Sequence, residues 1–293
     1  MKDILISNDD GVLAPGIFAT KCALEEFSNV TIVAPQENNS GVGRMLSLFK
    51  PLNLKEYTLE DGFKAYGVSG SPADSVNVGI NYVLDKKPDL VVTGINTGVN
   101  IGKCEITTSG TVCAALEAVC HGVPAIACSL FIDPDSFIQD NDGQWRMEVD
   151  FEFAKEVLSA LTKRVLKKGM PDGIDLLNLN IPAKPLSDEI KVTKLAERML
   201  RPNVISKDKM SEFGVNVDNL DNLDNLEDLE DLENLNDLDT LNSKDNYVMI
   251  APQLIEEYDE GTDGYCLMVE KRPSLTPLNI DLTGDLESLE RWL

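Results

Sequence analysis

Short apolar runs alternate along the chain with stretches whose apolar residues recur every three or four positions. Ile4, Leu5 and Ile6 open it as a buried strand, because Ile and Leu suit a covered, pleated position. Pro15-Gly16 then opens a helix to about residue 26, with Ile17, Cys22, Ala23 and Phe27 on its inner face. Residues 30–35 form a second strand, stopped by Pro35. Strand, helix and strand at this spacing predict a parallel pair. The pattern continues with a strand over 63–68 and a helix from Pro72 to about 84, for which Ser71 is the natural N-cap. A central strand follows over 89–96, then a helix to about Cys120, a strand over 124–130, an amphipathic helix over 151–166 and a last core strand over 176–182. The expected fold is α/β, a Rossmann-like doubly wound, mostly parallel sheet occupying residues 1–185.

The rest of the chain reads differently. Residues 189–194 and 247–251 are expected to pair as strands around an insertion, and 265–271 and 274–282 to form further strands. Residues 186–293 are thus expected to be a β-rich C-terminal arm, of the kind that pairs with another subunit. Between those strands leucine recurs at 220, 223, 226, 229, 232, 235, 238 and 241. An α-helix turns about 100° per residue, so a period of three moves each leucine roughly 60° around the axis and leaves no apolar stripe. Asn and Asp also rank low in helix interiors. The segment at about 216–245 therefore reads as a low-complexity acidic insertion without a catalytic role; a protein-binding tail is the alternative.

Charge narrows the function classes. The formal net charge is −24, and residues 218–241 hold ten acids and no base. Outside them 40 acids still face 26 bases. Such a surface disfavours nucleic-acid polymers and membrane surfaces. An acidic protein acting on an anionic substrate needs a cation at its site. The six cysteines form no CxxC pair and read as reduced thiols, and the single histidine, His121, makes a zinc site improbable. No signal-peptide pattern or membrane-length apolar run is visible, so the cytoplasm is the expected location.

Four polar points follow strands or open helices on one edge of the predicted sheet. The first is Asp9-Asp10-Gly11, a turn that is either simply solvated or a seat for a hard divalent cation. The second is the loop 36–44 with Ser40 and Gly41, whose backbone N–H groups suit an anion. The third is Asn96 with the glycine- and asparagine-rich loop behind it. The fourth is Ser109-Gly110-Thr111 at a helix start, where capping and phosphate binding are compatible roles. Asp74, in the first turn of its helix, reads as structural. Together the four points suit a phosphate ester held by a cation and backbone N–H groups.

At these residues the chain resembles the SurE family, stationary-phase survival proteins that act as metal-dependent nucleotidases. The matching stretches are Ser7-Asn8-Asp9-Asp10-Gly11, Ser40-Gly41-Val42-Gly43, Gly70-Ser71-Pro72-Ala73-Asp74, Gly94-Ile95-Asn96-Thr97-Gly98, Ser109-Gly110-Thr111-Val112 and Ser274-Leu275-Thr276-Pro277-Leu278. The resemblance implies a phosphomonoesterase acting on nucleoside 5′- and 3′-monophosphates, with one divalent ion per subunit, Mn²⁺ or Mg²⁺, on Asp9, Asp10, Ser40 and Asn96. It also implies a homodimer or homotetramer. A metal-activated water is the expected nucleophile, oriented by Asn8 or an aspartate, with Gly41, Ser109, Gly110 and Thr111 cradling the phosphate. The chain departs from the family at Asn38 and Asn39, where basic residues are common, and at 106–108, where many bacterial members carry a tyrosine. No histidine is placed to act as general acid. The alternatives are a non-enzymatic nucleotide or phosphate sensor and a related phosphatase for polyphosphate or sugar phosphates.

Overall fold

β1 (Lys2–Ser7) runs from exposed Lys2 into four buried residues, so the chain meets the core within one strand. α1 (Pro15–Leu24) carries it over one face to β2 (Ser28–Pro35), which lies parallel to β1. The structure is a computed structural model and describes residues 1–132, 137–139, 145–147, 149–213, 248–255 and 257–292. An antiparallel hairpin of β3 (Leu54–Thr58) and β4 (Lys64–Val68) closes this edge, with β4 parallel to β2.

α2 (Pro72–Val78) starts with a full capping box. Asp74 N–H donates to Ser71 Oγ at 3.0 Å, and Ser71 N–H donates to Asp74 Oδ2 at 3.0 Å. The same two residues hold the polar loop after β2, since Ser71 Oγ donates to the Met45 carbonyl and Ser47 N–H donates to Asp74 Oδ1. Asp74 is therefore structural, as its first-turn position predicts. Ser71→Ala is expected to lower stability by about 1–2 kcal/mol, the usual worth of an N-cap, measurable by urea unfolding.

β5 (Leu90–Thr97) pairs parallel with β1 on its other side. α3 (Gly110–Cys120) leads to β6 (Ala125–Phe131), parallel to β5. A small hairpin, β7 (Phe137–Gln139) with β8 (Trp145–Met147), precedes α4 (Glu152–Lys168) and β9 (Leu176–Pro182), which is parallel to β6. The architecture is α/β as predicted. Ile4, Ile6 and Ile32 pack with α1 and α4 on one face, while Leu5, Val33 and Val91 pack with α2 and α3 on the other.

The sheet does not end with β9. β15 (Ser274–Leu278) pairs antiparallel with β9, and the short β10 (Lys191–Val192) pairs parallel with β15. The sheet has nine strands in the order β10-β15-β9-β6-β5-β1-β2-β4-β3. The C-terminal region differs from the sequence expectation in three places. Residues 191–192 pair with β15 rather than with the segment near 248. Residues 274–278 complete the central sheet rather than an arm. The segment 265–271 is not a strand: α5 (Asp263–Met268) is a helix capped by Thr262, whose Oγ1 accepts from Tyr265 N–H at 3.2 Å.

The chain divides into two compact units, one of Met1–Met199 with Glu257–Leu293, the other Leu200–Glu256. The second holds two antiparallel ladders: β11 (Leu200–Arg201) with β14 (Gln253–Leu254), and β12 (Val204–Ser206) with β13 (Val248–Ile250). Ile205, Met210 and Ala251 form its small core. The acidic insertion expected at 216–245, and Tyr247, lie outside the described residues. α6 (Leu286–Trp292) is the last helix.

Candidate metal and phosphate site

The turn after β1 is made by Asn8. Its Nδ2 donates to the Gly11 carbonyl at 2.9 Å and its Oδ1 accepts Gly11 N–H at 3.2 Å. Asn8 is fully buried, and both ends of its amide are committed within the turn. The turn sets Asp9 against the start of α3, where Thr111 Oγ1 donates to Asp9 Oδ1 at 2.6 Å. Gly110 permits this approach: a Cβ there would lie 2.6 Å from the Asp9 Cβ and 2.8 Å from its Oδ2. Asp10 turns toward the end of β5, its Oδ2 accepting the Thr97 N–H at 3.3 Å and the Thr97 hydroxyl at 3.5 Å.

The loop after β2 is laid on the same turn. Asn39 N–H donates to the Asp9 carbonyl at 2.7 Å, and Gly43 N–H donates to the Thr108 carbonyl at 2.9 Å, just before α3. Ser40 and Gly41 lie between these anchors and are exposed, with Ser40 N–H on Asn38 Oδ1. Asn96 lies at the end of an irregularity in β5, whose register with β6 shifts between Thr93 and Asn96. Such bulges re-aim side chains near functional sites. Gly94 takes φ +116°, and a Cβ on it would fall 2.1 Å from the Cys128 carbonyl oxygen. Thr20 of α1 braces the same place, donating to the Gly94 carbonyl and accepting the Ile95 N–H, each at 2.6 Å.

The two carboxylates sit in an environment that disfavours their charge. Burial pushes the Asp9 carboxyl up to about 6; hydrogen bonding from Thr111 opposes this and the neighbouring Asp10 charge adds to it. Burial likewise raises Asp10, opposed by Thr97. Their hydrogen bonds come from threonine hydroxyls and backbone N–H groups. Arg44, the basic residue of the loop, instead donates from Nε to Glu117 Oε2 at 2.8 Å. Glu117 is buried on α3, and its Oε1 lies 3.2 Å from His121 Nε2 at the far end of that helix. An eleven-residue helix is about 16 Å long, so His121 stands well away from Asp9.

The donor set fits a hard divalent cation. Asp9, Asp10, Ser40 and Asn96 offer only oxygen ligands of the kind that Mg²⁺ and Mn²⁺ prefer. Two adjacent carboxylates, Asp9 buried and Asp10 half-buried, both with raised pKa, are an arrangement that a bound cation relieves. Among the described residues no three His, Cys, Asp or Glu side chains gather as a metal cluster. An ion here would rest on two carboxylates completed by neutral oxygens. Beside Asp10 a cavity of about 400 Å³ is walled by Gly11, Gln36, Asn38 and Thr97. A larger one, about 640 Å³, lies along α1 by Phe18 and Phe151; it shares Leu13, Ala14 and Pro15 with the first, and neither Asp9 nor Asp10 lines it.

Thr97 has no role in the site expected from the sequence, although a hydroxyl directly after Asn96 is an available signal. Thr111 is expected in the phosphate cradle, whereas its hydroxyl is engaged by Asp9. At the start of α3, Ser109 Oγ accepts the Val112 N–H at 3.1 Å, which leaves its own O–H to donate. The Gly110 N–H is among the helix-start donors that lack an intrahelical partner.

The family model described as Survival protein SurE matches residues 4–202. The 5′-nucleotidase SurE of Methanobrevibacter smithii is 41% identical over 289 residues, covering 99% of this chain and 98% of that protein. The 5′-nucleotidase SurE of Methanothermobacter thermautotrophicus is 48% identical over 201 residues, covering 69% of this chain and 76% of its own. The crystal structure of the SurE protein from Aquifex aeolicus superposes with a TM-score of 0.71 at 30% identity, covering 99% of both chains.

Proposed function

The chain belongs to the SurE family, and we propose that it is a metal-dependent nucleotidase that hydrolyses nucleoside 5′- and 3′-monophosphates at the Asp9–Asp10 edge of the sheet. The observation that carries this reading is the meeting of buried Asp9, with half-buried Asp10 next to it in the chain, and the N-terminus of α3 across Gly110. One end of that junction suits a cation, the other a phosphate oxygen.

In this reading Asp9, Asp10, Ser40 and Asn96 hold one divalent ion per subunit, Mn²⁺ or Mg²⁺. Such an ion supplies Lewis-acid polarisation of the phosphoryl group and lowers the pKa of a water. The chain's own residues do the rest. Thr111 fixes the rotamer of Asp9 through its 2.6 Å hydrogen bond, and Thr97 does the same for Asp10. The Gly41 and Gly110 N–H groups and the Ser109 hydroxyl bind phosphate oxygens. Because the Asn8 amide is committed to Gly11, orienting the attacking water falls to an aspartate. His121 is not the general acid, and the leaving oxygen takes its proton from solvent.

A homodimer or homotetramer belongs to the same reading. α6 leaves Leu286, Leu289 and Trp292 exposed, apolar side chains that a second copy would cover. The proposed setting is the cytoplasm; among the described residues no helix is long and apolar enough to cross a membrane.

A substrate panel tests the activity. With Mn²⁺ present, 5′- and 3′-AMP and GMP should release phosphate faster than polyphosphate or sugar phosphates do. Preferential hydrolysis of polyphosphate would move the assignment to the related phosphatase. Tight nucleotide binding without turnover would move it to a sensor. Deleting residues 216–245 should leave kcat/KM within about threefold, because the proposed chemistry draws nothing from that segment; loss of both activity and oligomer on gel filtration would contradict this.

A further inference from the structure

Asn96 and Ser109 stand at the two ends of one connection, residues 97–108. A free stretch of that length would hold neither end still, because each unfixed residue carries conformational entropy. The connection is instead fastened at Asn100. The Asn100 N–H donates to Asn180 Oδ1 at 2.9 Å. Its carbonyl accepts from Asn180 Nδ2 at 3.0 Å and from Asn178 Nδ2 at 2.7 Å. Its own Nδ2 donates to Ser129 Oγ at 2.8 Å. Asn100, Ser129, Asn178 and Asn180 are all buried.

One side-chain amide on β9 thus gives both a donor and an acceptor to one backbone unit, as a neighbouring strand would. Register puts the supports side by side, since Ser129 of β6 pairs with Asn180 of β9. The surrounding positions of both strands bury Ala, Ile and Leu. Buried amides among such residues are costly unless hydrogen-bonded. Asn178 even leaves its Oδ1 buried without a hydrogen-bond partner among the described residues while donating to Asn100. Polar groups placed at that cost serve the connection rather than the core. On the Asn96 side, Gly98 N–H donates to the Leu130 carbonyl at 3.0 Å, and beyond Asn100 the Gly102 N–H donates to buried Asp263 at 3.0 Å.

We infer that Asn180, with Ser129 and acting through Asn100, is a positioning residue that presents Asn96 to the divalent ion; the inference rests on the metal-site reading above. The sheet edge assembled from β6 and β9 then sets metal affinity without touching the metal. Outer supports of this kind are typically worth about 10- to 100-fold in affinity.

The test is a Mn²⁺ titration of the full chain, followed by the electron paramagnetic resonance of free Mn²⁺, for wild type, Asn180→Leu and Ser129→Ala. Thermal unfolding in chelator is recorded beside it. Asn180→Leu should weaken Mn²⁺ binding about 10- to 100-fold, Ser129→Ala by less in the same direction, with kcat recovering toward wild type at saturating Mn²⁺. Unchanged Mn²⁺ affinity in both variants, with only the melting temperature lowered, would overturn the inference and leave the network a structural staple. Should Asn180→Leu fail to fold by circular dichroism, Ser129→Ala decides alone. Wild-type protein that takes up no Mn²⁺ would sink the metal-site reading itself, an outcome distinct from wild-type binding that the variants share.

Discussion

Asp9→Asn should abolish phosphate release and at the same time stabilise the metal-free protein. The two effects have one cause. Asp9 is 4% exposed and sits beside a second carboxylate, and its pKa is raised from 3.8 to about 6. A raised carboxyl pKa means that the folded state holds the proton more tightly than the unfolded chain does. The associated stability is fully present below the unfolded value near 3.8 and is lost as pH rises through about 6. At pH 7 the charged group therefore opposes folding by roughly 3 kcal/mol, since each tenfold change in proton affinity is worth about 1.4 kcal/mol. Asparagine keeps the shape and can still accept from the Thr111 hydroxyl, but carries no charge. The variant should melt several degrees higher than wild type at pH 7–8 in chelator, and the difference should vanish below about pH 4. Mn²⁺ should reverse the order, because it stabilises only a form that binds it. Equal melting temperatures at pH 7.5 in chelator would show that Asp9 is not held charged and buried as described.

Gly110→Ala should lower kcat/KM by about 10²- to 10³-fold while the protein remains folded. The new methyl would lie 2.6 Å from the Asp9 Cβ, so either the carboxylate or the start of α3 must give way. A displacement near 1 Å at a reacting centre typically costs about 10²-fold, and here it separates the cation side of the site from its phosphate side. Stability should change less, because overpacking of about 1–3 kcal/mol is partly offset by the better helix propensity of alanine. Steady-state kinetics with AMP and a urea melt separate the two. Activity within threefold of wild type would mean that the two halves of the site need not touch.

Much of the local structure around the candidate site could be read from the sequence, because a strand end and a helix start are local features. An apolar triplet ending in Asp9-Asp10-Gly11 marks a strand's carboxyl edge without any knowledge of its neighbours. Ser109-Gly110-Thr111 before Val112 marks a helix start in the same way. The α/β alternation that follows fixes the parallel core through β9. What escaped was non-local. Ser274-Leu275-Thr276-Pro277 mixes polar and apolar residues and contains a proline, and it becomes a strand of the main sheet only by pairing with residues almost a hundred positions earlier. Tyr265, Leu267 and Val269 alternate like a strand, yet the Thr262 cap and burial of Cys266 and Leu267 make the segment a short helix. Asn8 looks like a catalytic amide because it abuts the aspartates, and only its two bonds to Gly11 reveal a turn staple. Asn180 carries no local signal, since its partner Asn100 lies 80 residues away.

Phosphate-ester hydrolysis at the Asp9–Asp10 edge should depend on a divalent ion. The most direct measurement is phosphate release from AMP by the purified full chain in Mn²⁺, in Mg²⁺, in chelator, and after metal is restored to the chelated sample. Phosphate should be released with metal, not in chelator with the protein still folded by circular dichroism, and again on adding Mn²⁺. Release that continues undiminished in chelator, or none from any nucleoside monophosphate by folded, Mn²⁺-loaded protein, would contradict it.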